Sequence, residues 1–322
     1  MKTPRFWHRL SLPALLLSPL SLFYLAGATL NRLLTTPEPA ALPVISVGNI
    51  TAGGAGKTPA VLALAELLRS MGEAPHLLTR GYGGDLRTPQ EVSTHSDWRT
   101  VGDEALLLAS AAPTWAGRDR LGSSALAYEH GASLVLADDA LQHHRLKKDI
   151  SLLVIDGAYG LGNWLPLPAG PLRETLPTAL KRTDAVILIG EDAHRLAARV
   201  APRPVFHAIL EPAGDTGFLR EGKWLAFAGL ARPQKFFDML RALGADVVET
   251  KSFADHYPYG DADLAALSAR AQKLGARLIT TAKDAVKLPA GHDVRVLDVA
   301  LSFTDEADLS DWLRHLLALK RA

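Results

Sequence analysis

The segment V-I-S-V-G-N-I-T-A-G-G-A-G-K-T-P-A, at residues 44–60, combines three local signals in a fixed order. Its first part, 44–47, is apolar and β-branched, which is typical of a buried strand. A glycine-rich loop follows at 48–56. A helix then opens with Lys-Thr-Pro at 57–59, where proline in the first turn loses no hydrogen bond. Strand, glycine loop, Gly-Lys-Thr and helix together predict a phosphate-binding P-loop.

The predicted loop carries the chemistry of nucleotide binding. Backbone amides and the helix N-terminus form a cradle for anions, Lys57 can reach the β and γ phosphates, and the Thr58 hydroxyl can ligate Mg²⁺. The candidate nucleotide-binding residues are Thr51, Ala52, Gly53, Gly54, Ala55, Gly56, Lys57 and Thr58. The usual motif begins with glycine where this chain has Thr51, so a plain glycine-rich turn with an incidental lysine is the alternative.

Composition limits the classes of protein to consider. With 322 residues, 48% hydrophobic and 21% charged, the chain is long and apolar enough for a globular protein of two domains or one large one. A formal net charge of +1 gives no support for a nucleic-acid partner. The absence of cysteine excludes disulfides, thiolate zinc sites and cysteine nucleophiles.

Residues 1–34 differ from the rest of the chain. Basic residues precede a long uncharged run, 10–31, which Arg32 closes. The run is just long enough for a transmembrane helix, and the order of charges also occurs in secretory signal peptides. Pro13 and Pro19 weaken a straight span, and export would separate a P-loop from ATP. We therefore expect membrane attachment, with a helix in the interface favoured over full spanning and a buried N-terminal helix as the alternative.

Two pairs of acidic residues are candidates for metal binding and proton transfer. Asp138 and Asp139 directly follow an apolar strand at 133–137, the Walker B arrangement that holds Mg²⁺ directly or through water. Asp103 and Glu104 begin a helix, where carboxylates stabilise the helix dipole. One of this second pair could instead serve as a general base, and the spacing leaves both roles open.

Three basic residues have both a functional and an ordinary interpretation. Arg173 lies in a rigid Pro- and Gly-rich loop, where it could stabilise a transferring phosphate or simply pair with Glu174 at a helix start. His256 could share a proton with a carboxylate, or be a surface-loop histidine. Lys283 follows a strand and could contact phosphate or be solvated.

The order of elements predicts an α/β protein of two parts. Alternating strands and helices over 35–210 predict a P-loop domain with a doubly wound, mostly parallel sheet. The pattern restarts after a turn-rich break, so 211–300 is expected to form a second, smaller α/β domain. The strands at 205–210 and 294–299 are expected to pair as a two-stranded connector, and a C-terminal helix, 304–322, to pack back on the first domain.

Seven segments resemble the lipid A 4'-kinase family, the tetraacyldisaccharide 4'-kinases of Gram-negative bacteria. Between about residues 44 and 288 they are, in the family's order, G-N-I-T-A-G-G-A-G-K-T-P, R-G-Y-G-G, V-G-D-E, D-D-A-L-Q-H, L-P-A-G-P-L-R-E, A-D-H-Y and T-A-K-D-A-V-K. Thr51 at the start of the loop is a feature of that family. Two departures are Ala140, where the family usually has glycine, and Ala105, where it usually has proline; both are small residues beside the acids.

The resemblance implies transfer of the ATP γ-phosphate to the 4'-hydroxyl of a tetraacylated glucosamine disaccharide 1-phosphate, with a Mg²⁺ requirement. It also implies a monotopic N-terminal helix and a site at the cytoplasmic face of the inner membrane. The expected partners are the lipid A disaccharide precursor and the membrane surface, with no obligate protein partner.

At matching positions, the resemblance implies that Asp103 is the catalytic base and that His256 is its partner from the second domain. Lys57 and Arg173 would meet phosphate. The candidate metal ligands are Thr58, Glu104, Asp138 and Asp139. Since Asp103 and His256 belong to different predicted domains, closure is expected to complete the site and exclude water.

Two other functions compete with this one. One is a membrane-attached nucleotide switch that binds ATP or GTP and regulates a partner. No guanine-selecting N-K-x-D loop stands in its usual place after a strand, and Lys283-Asp284 is only a fragment of one. A soluble P-loop kinase for a small metabolite is the third option, against which the apolar N-terminus argues.

Overall fold

Two β-sheets organise the chain in the computed structural model, which describes residues 4–289 and 291–321. The strands are β1 Val44–Gly48, β2 Pro75–Thr79, β3 Gln90–Val92, β4 Thr114–Ala116, β5 Leu134–Asp138, β6 Ile150–Asp156, β7 Ala185–Ile189, β8 Val205–Pro212, β9 Lys223–Ala228, β10 Asp246–Ser252, β11 Ala276–Thr281, β12 Val294–Leu297 and β13 Val299–Phe303. The helices are α1 Leu12–Leu34, α2 Lys57–Ser70, α3 Trp98–Val101, α4 Asp103–Ala109, α5 Arg120–Glu129, α6 Leu176–Leu180, α7 Leu196–Val200, α8 Pro233–Ala242, α9 Asp261–Leu274, α10 Ala282–Ala285 and α11 Glu306–Arg321. Two short 3₁₀ helices lie at Arg5–Trp7 and Gly217–Arg220.

The large sheet has nine strands in the order β13-β8-β7-β6-β1-β5-β2-β4-β3. Its pairs are parallel except at the two edges, where β3 and β13 run antiparallel to their neighbours. The central strands β1, β5 and β6 are buried along their whole length, which explains their continuous apolar sequences. Strands β2 to β5 lie on one side of β1, and β6, β7, β8 and β13 lie on the other. Such a switch point in strand order is where α/β sheets bind ligands.

The small sheet is fully parallel, with the order β10-β9-β11-β12. Helix α8 packs on one face through Phe236 and Phe237, against Trp224. Helix α9 contributes Leu267 to the other face, against Phe227. The predicted fold class, a doubly wound P-loop sheet with a second, smaller α/β unit, is confirmed, while the domain boundaries stay a prediction.

The two-stranded connector is present, but its second strand differs from the predicted range 294–299. That range is divided at Asp298: β12 before it pairs with β11 in the small sheet, and β13 after it pairs antiparallel with β8. The Asp298 side chain accepts from the Val299 amide at 2.8 Å, and its carbonyl accepts from Ala213 at 3.0 Å. A run that looks continuous in sequence therefore serves two different sheets.

The two terminal helices differ in what they bury. Helix α11 places Leu309, Leu313 and Leu317 in the core of the large sheet, at the helical spacing that makes one face. Helix α1 leaves large apolar side chains in solvent, with Phe23 76% exposed. By length and composition α1 could cross a membrane, so it is a candidate for membrane association.

Candidate active site

The P-loop at 49–56 joins β1 to α2 and is braced from outside by the loop that precedes Arg173. The Ala52 amide donates to the Pro171 carbonyl at 2.7 Å, and the Arg173 amide donates to the Ile50 carbonyl at 2.7 Å. Gly56 has a φ of +85°, and a Cβ there would lie 2.6 Å from Ile189. Glycine is therefore required at the point where the loop enters the helix.

Lys57, the first residue of α2, turns back over the loop. Its Nζ donates to Asn49 Oδ1 at 3.2 Å and lies 3.6 Å from Asp139 Oδ1. Asn49 is held in turn, because its Nδ2 donates to the Thr51 carbonyl at 2.7 Å. Thr58 follows in the first turn of the same helix. The side chains of Lys57 and Asp139 therefore face the same space.

Asp138 and Asp139 are adjacent in sequence, but their pKa values are shifted in opposite directions. Asp138 is 1% exposed, and its Oδ1 has no hydrogen-bond partner in the described part of the chain. Burial, together with the negative charge of Glu104, raises the pKa of Asp138 to about 7. Although burial also acts on Asp139, the positive charges of Lys57 and Arg173 lower its pKa to about 2.

Arg173 pairs with Asp139 rather than with Glu174. Its Nη1 donates to both carboxylate oxygens of Asp139 at 2.9 Å. Glu174 instead pairs with Arg182 and accepts from Gln142 Nε2 at 2.9 Å. The ordinary interpretation of Arg173, a pair with its sequence neighbour, is wrong, since the side chain points to the Walker B acids.

Asp103 and His256 meet although 153 positions separate them. His256 Nδ1 lies 2.9 Å from both carboxylate oxygens of Asp103, which is 3% exposed at the start of α4. Lys287 Nζ lies 3.2 Å from Asp103 Oδ2 and 3.1 Å from Asp284 Oδ1. Burial raises the pKa of Asp103, but His256, Lys283 and Lys287 outweigh it and lower that pKa to about 2.

Glu104 points to a different partner from its neighbour Asp103. Its Oε1 accepts from Lys283 Nζ at 3.0 Å. Burial opposes ionisation, yet the charges of Lys283 and Lys57 lower the pKa of Glu104. Because Glu104 interacts electrostatically with both Lys57 and Asp138, the P-loop group and the Asp103–His256 pair form one continuous site.

A second set of contacts joins the two sheets at the P-loop itself. Arg232 Nη1 lies 2.9 Å from Asp156 Oδ2, and Arg232 also donates to the carbonyl of Gly54. Lys235 pairs with the same Asp156 carboxylate. The Arg232 guanidinium stacks 4.4 Å from the ring centroid of Tyr159. Asp156 ends β6, next to β1, so this contact also lies at the switch point.

Several residues of the site had not been singled out from the sequence. Arg120, buried at the start of α5, donates to the Asp139 carbonyl at 3.4 Å, and its charge acts on both Walker B acids. The other such residues are Asp156, Tyr159, Arg232, Lys235 and Lys287. The signal for Lys287 was its place at the end of the segment T-A-K-D-A-V-K, which belongs to the family resemblance.

The carboxylates and the hydroxyl of Thr58 are hard oxygen donors, the kind that Mg²⁺ takes. Among residues 4–289 and 291–321, no group of three or more His, Asp or Glu side chains is gathered around one point. The observation that fits a cation is the unpartnered Oδ1 of Asp138, since a buried carboxylate oxygen without a donor is costly. Ala140 and Ala105, the two departures beside the acids, are fully buried small residues in this structure.

Known proteins are similar to this chain in sequence and in structure. The family model described as LpxK, tetraacyldisaccharide-1-P 4'-kinase, matches residues 13–318. The tetraacyldisaccharide 4'-kinase of Rhodospirillum rubrum is 48% identical over 95% of both chains. That of Bradyrhizobium sp. is 45% identical over 100% of this chain and 97% of its own. The crystal structure of the "apo" form of LpxK from Aquifex aeolicus in complex with ATP has a TM-score of 0.77 and 28% identity, over 94% of this chain and 99% of that one.

Proposed function

This chain belongs to the tetraacyldisaccharide-1-P 4'-kinase family, and on that premise we propose the roles of its residues in phosphoryl transfer. The chain is an ATP-dependent kinase that phosphorylates the 4'-hydroxyl of the tetraacylated disaccharide 1-phosphate in lipid A biosynthesis. The observation that carries our assignment of roles is the contact of Asp103 with His256 beside the P-loop.

Asp103 accepts the proton of the 4'-hydroxyl. A pKa of about 2 keeps this carboxylate ionised at neutral pH, so it is always ready to accept. A carboxylate with so low a pKa is a weak base. A loose phosphoryl-transfer transition state, however, depends mainly on orientation of the nucleophile and needs a proton acceptor only late in the reaction. As the 4'-oxygen forms its bond to the γ-phosphorus, the bond from that phosphorus to the β–γ bridging oxygen breaks, and ADP leaves.

Lys57 and Arg173 bind the charge that develops on the transferring phosphate. Both side chains now contact Asp139, so both must exchange a carboxylate for phosphate oxygens when nucleotide enters. Both contacts are ion pairs, and phosphate oxygens offer the same kind of anionic partner as a carboxylate. The exchange would also free Asp139 to act on the metal.

The Mg²⁺ ligands we propose are Thr58, Asp138, Asp139 and Glu104. These oxygen donors would hold Mg²⁺, which would neutralise part of the charge of the nucleotide phosphates. Asp138 needs to lose its proton to bind a cation, and its pKa of about 7 makes that step sensitive near neutral pH.

The metal assignment is tested by measuring Mg²⁺ binding calorimetrically, in the presence of a non-hydrolysable ATP analogue. Affinity should rise about tenfold between about pH 6 and pH 8, because the ionised fraction of Asp138 rises by that factor. The Asp138→Asn variant should bind more weakly and show only the pH dependence of the nucleotide itself. Equal pH dependence in both proteins would remove Asp138 from the ligand set.

We further propose that α1 holds the enzyme at the cytoplasmic face of the inner membrane. The acyl chains of the substrate stay in the bilayer, so a kinase for its sugar must work at the surface. The exposed apolar side chains of α1 support that position. Ser21 of α1 also ties the helix to the site, since it donates to the Pro166 carbonyl at 2.8 Å.

Opening and closing of the cleft is the remaining part of the proposal. Asp103 begins α4, which packs on the large sheet, and His256 lies in the loop after β10 of the small sheet. Separation of the sheets would therefore break their contact, and closure would restore it. Distances between labels on the two sheets should shorten when nucleotide binds. An unchanged distance would contradict closure.

The deciding assay for the function follows labelled γ-phosphate from ATP to tetraacyldisaccharide 1-phosphate in detergent micelles. Label should appear in the lipid with the full chain and fall by about 10²–10⁴-fold with Asp103→Asn. ATP binding without any lipid product would instead support a nucleotide switch or another acceptor.

A further inference from the structure

The N-terminal segment, residues 4–34, is hydrogen-bonded to the loop at 163–172 as well as exposing an apolar surface. Ser21 of α1 is only 3% exposed, because this side of the helix faces the loop. Its hydroxyl donates to the Pro166 carbonyl at 2.8 Å and accepts from the Ala169 amide at 3.3 Å. One hydroxyl can fill both roles, since it carries a donor and two acceptor sites. Ser21 therefore fixes α1 to the loop at two points.

Trp7, which precedes α1, holds the same loop from another side. Its Nε1 donates to the Pro168 carbonyl at 3.1 Å, and its carbonyl accepts from the Asn163 amide at 2.8 Å. Asn163 also braces the loop internally, because its Nδ2 donates to the Ala169 carbonyl at 2.9 Å. Gly162 has a φ of +60°, and a Cβ there would collide with the Trp7 carbonyl oxygen. The sequence of the loop is thus fitted to the close approach of the N-terminal segment.

The far end of this loop is the part that braces the P-loop. Leu172 donates from its amide to the Leu165 carbonyl at 3.1 Å, which closes the loop on itself. Leu172 also pairs with Thr51 in an antiparallel bridge. Its neighbours Pro171 and Arg173 make the two backbone bonds of 2.7 Å to the P-loop described above. The loop therefore connects the N-terminal segment to the P-loop through an unbroken set of hydrogen bonds.

A second route leads from the N-terminal segment to the same P-loop. The ring of His8 lies edge-on to that of Tyr159, with 5.4 Å between the centroids. Tyr159 carries the guanidinium of Arg232, which donates to the Gly54 carbonyl. The segment thus reaches the P-loop by two separate sets of contacts.

These contacts exceed what membrane attachment requires. An anchor in the interface needs an apolar face towards lipid, which the exposed side chains of α1 supply. Hydrogen bonds to a protein loop add nothing to that attachment. Because hydrogen bonds are directional, they instead fix the orientation of the loop.

We propose that the N-terminal segment positions the nucleotide site, with Ser21 and Trp7 as positioning residues that act through the loop at 163–172 on the P-loop and Arg173. The inference rests on the proposed roles of α1 and Arg173, and it gives α1 a second task besides attachment. Neither residue touches the reacting atoms, so their effect is on the geometry of the groups that bind phosphate.

Hydrogen exchange of backbone amides tests the proposal without turnover. The full chain in detergent micelles is followed by mass spectrometry on peptides that span 49–56 and 170–175. Ser21→Ala takes the acceptor away from the buried Ala169 amide and loosens the loop. The amides of Ala52 and Arg173 should then exchange about fivefold faster, the effect of losing about one net hydrogen bond. Exchange at the wild-type rate would overturn the proposal.

Two further variants control for a general effect on α1. Ser18→Ala removes a hydroxyl that donates to the Leu15 carbonyl within the same helix, so P-loop exchange should be unchanged. Trp7→Phe keeps an aromatic ring but removes the donor to Pro168, and it should quicken exchange in the same peptides as Ser21→Ala does. Equal acceleration in Ser18→Ala and Ser21→Ala would mean that the helix responds as a whole, and the proposal would be wrong.

Co-sedimentation with phosphatidylglycerol–phosphatidylethanolamine vesicles separates positioning from attachment. Phe23, 76% exposed, lies on the apolar face of α1. Phe23→Ser should weaken vesicle binding by about tenfold and leave P-loop exchange unchanged. Ser21→Ala should show the reverse. Weaker vesicle binding without faster exchange in Ser21→Ala would make this serine part of the anchor only, against the proposal.

Nucleotide binding distinguishes a failure of this inference from a failure of the proposed function. Calorimetry with a non-hydrolysable ATP analogue should show an affinity about fivefold lower in Ser21→Ala and Trp7→Phe than in the wild type and Ser18→Ala. These differences without any lipid phosphorylation would support the inference while the proposed function fails. Lipid phosphorylation with full analogue affinity in Ser21→Ala would overturn the inference and leave the function standing.

Discussion

The small sheet touches the P-loop side of the molecule in two places that differ in burial and in charge balance. We call the first the dyad contacts: His256, Lys283 and Lys287 against Asp103 and Glu104. The second, the loop contacts, are Arg232 and Lys235 against Asp156 and the carbonyl of Gly54. In the dyad contacts Lys287 is fully buried, whereas in the loop contacts Lys235 is 49% exposed.

We infer from this difference in burial that the dyad contacts and the loop contacts serve different purposes. Buried, paired charges hold side chains in fixed positions, which the proposed proton transfer requires. Two cations on one carboxylate beside a glycine loop form a weaker and more adjustable contact, which suits a loop that must receive nucleotide. In both places the lysine and arginine ion pairs described between the sheets have the cation on the small-sheet side, so the polyanion ATP enters a cleft with one cationic wall.

The largest effect is expected from Asp103→Asn, at the centre of the dyad contacts. The amide keeps the shape but cannot take the proton, so kcat should fall by about 10²–10⁴-fold. Initial rates of lipid phosphorylation measure this, and ATP affinity should be retained. Asp311→Asn, at an 80% exposed side chain of α11, is the matched control. Retention of more than about a tenth of the rate would show that the buried contact is structural only.

The second largest effect is expected on stability, from Lys287→Met. Removal of this ammonium takes the shared cation away from the buried carboxylates of Asp103 and Asp284, and breaking such a buried ion pair destabilises a protein by about 3–5 kcal/mol. Lys235→Met removes a half-exposed cation from the loop contacts and should change stability by less than about 1 kcal/mol. Urea unfolding of the two variants checks the contrast. Similar losses in both would mean that burial does not distinguish the two places.

These contacts also mark the limit of what the sequence could reveal. The P-loop and the Walker B acids were predictable, because a strand, a turn and a helix start are local patterns. The pairing of Asp103 with His256 came from a family resemblance, since no local pattern links residues in two different sheets. Lys287 ends one of the segments that carry this resemblance. The Arg232–Asp156 pair had no such signal, because only the packing of the two sheets brings its residues together. The predicted range of the connector's second strand, 294–299, was wrong for a related reason. One residue, Asp298, divides a run that is apolar on both sides into strands of two different sheets.

Acid should weaken the dyad contacts in a defined range of pH. The carboxyl of Asp103 has a pKa of 3.8 in the unfolded chain and about 2 in the folded one. Its contribution to stability is therefore complete above the unfolded value and is lost as the pH falls through the folded value. The loss between about pH 5 and pH 2 should be about 2 kcal/mol.

Urea unfolding of the wild type and Asp103→Asn over this range isolates that contribution, because Asp139 titrates in both proteins. The stability difference between the two should shrink as the pH falls towards 2. A difference that stays constant would assign the acid sensitivity to other carboxylates.

The smallest effect is expected from Arg232→Ala, at the loop contacts. The guanidinium holds the carbonyl of Gly54 from outside the nucleotide site, so its loss should loosen the P-loop without touching the reacting atoms. The KM for ATP should rise by up to about tenfold, the equivalent of one charge-assisted hydrogen bond, while kcat stays nearly constant. Steady-state kinetics with ATP varied at saturating lipid measures both constants. A fall in kcat at unchanged KM would mean that the loop contacts act in the chemical step. The division of tasks between the two places would then be wrong, because the loop contacts would stabilise the transition state as the dyad contacts do.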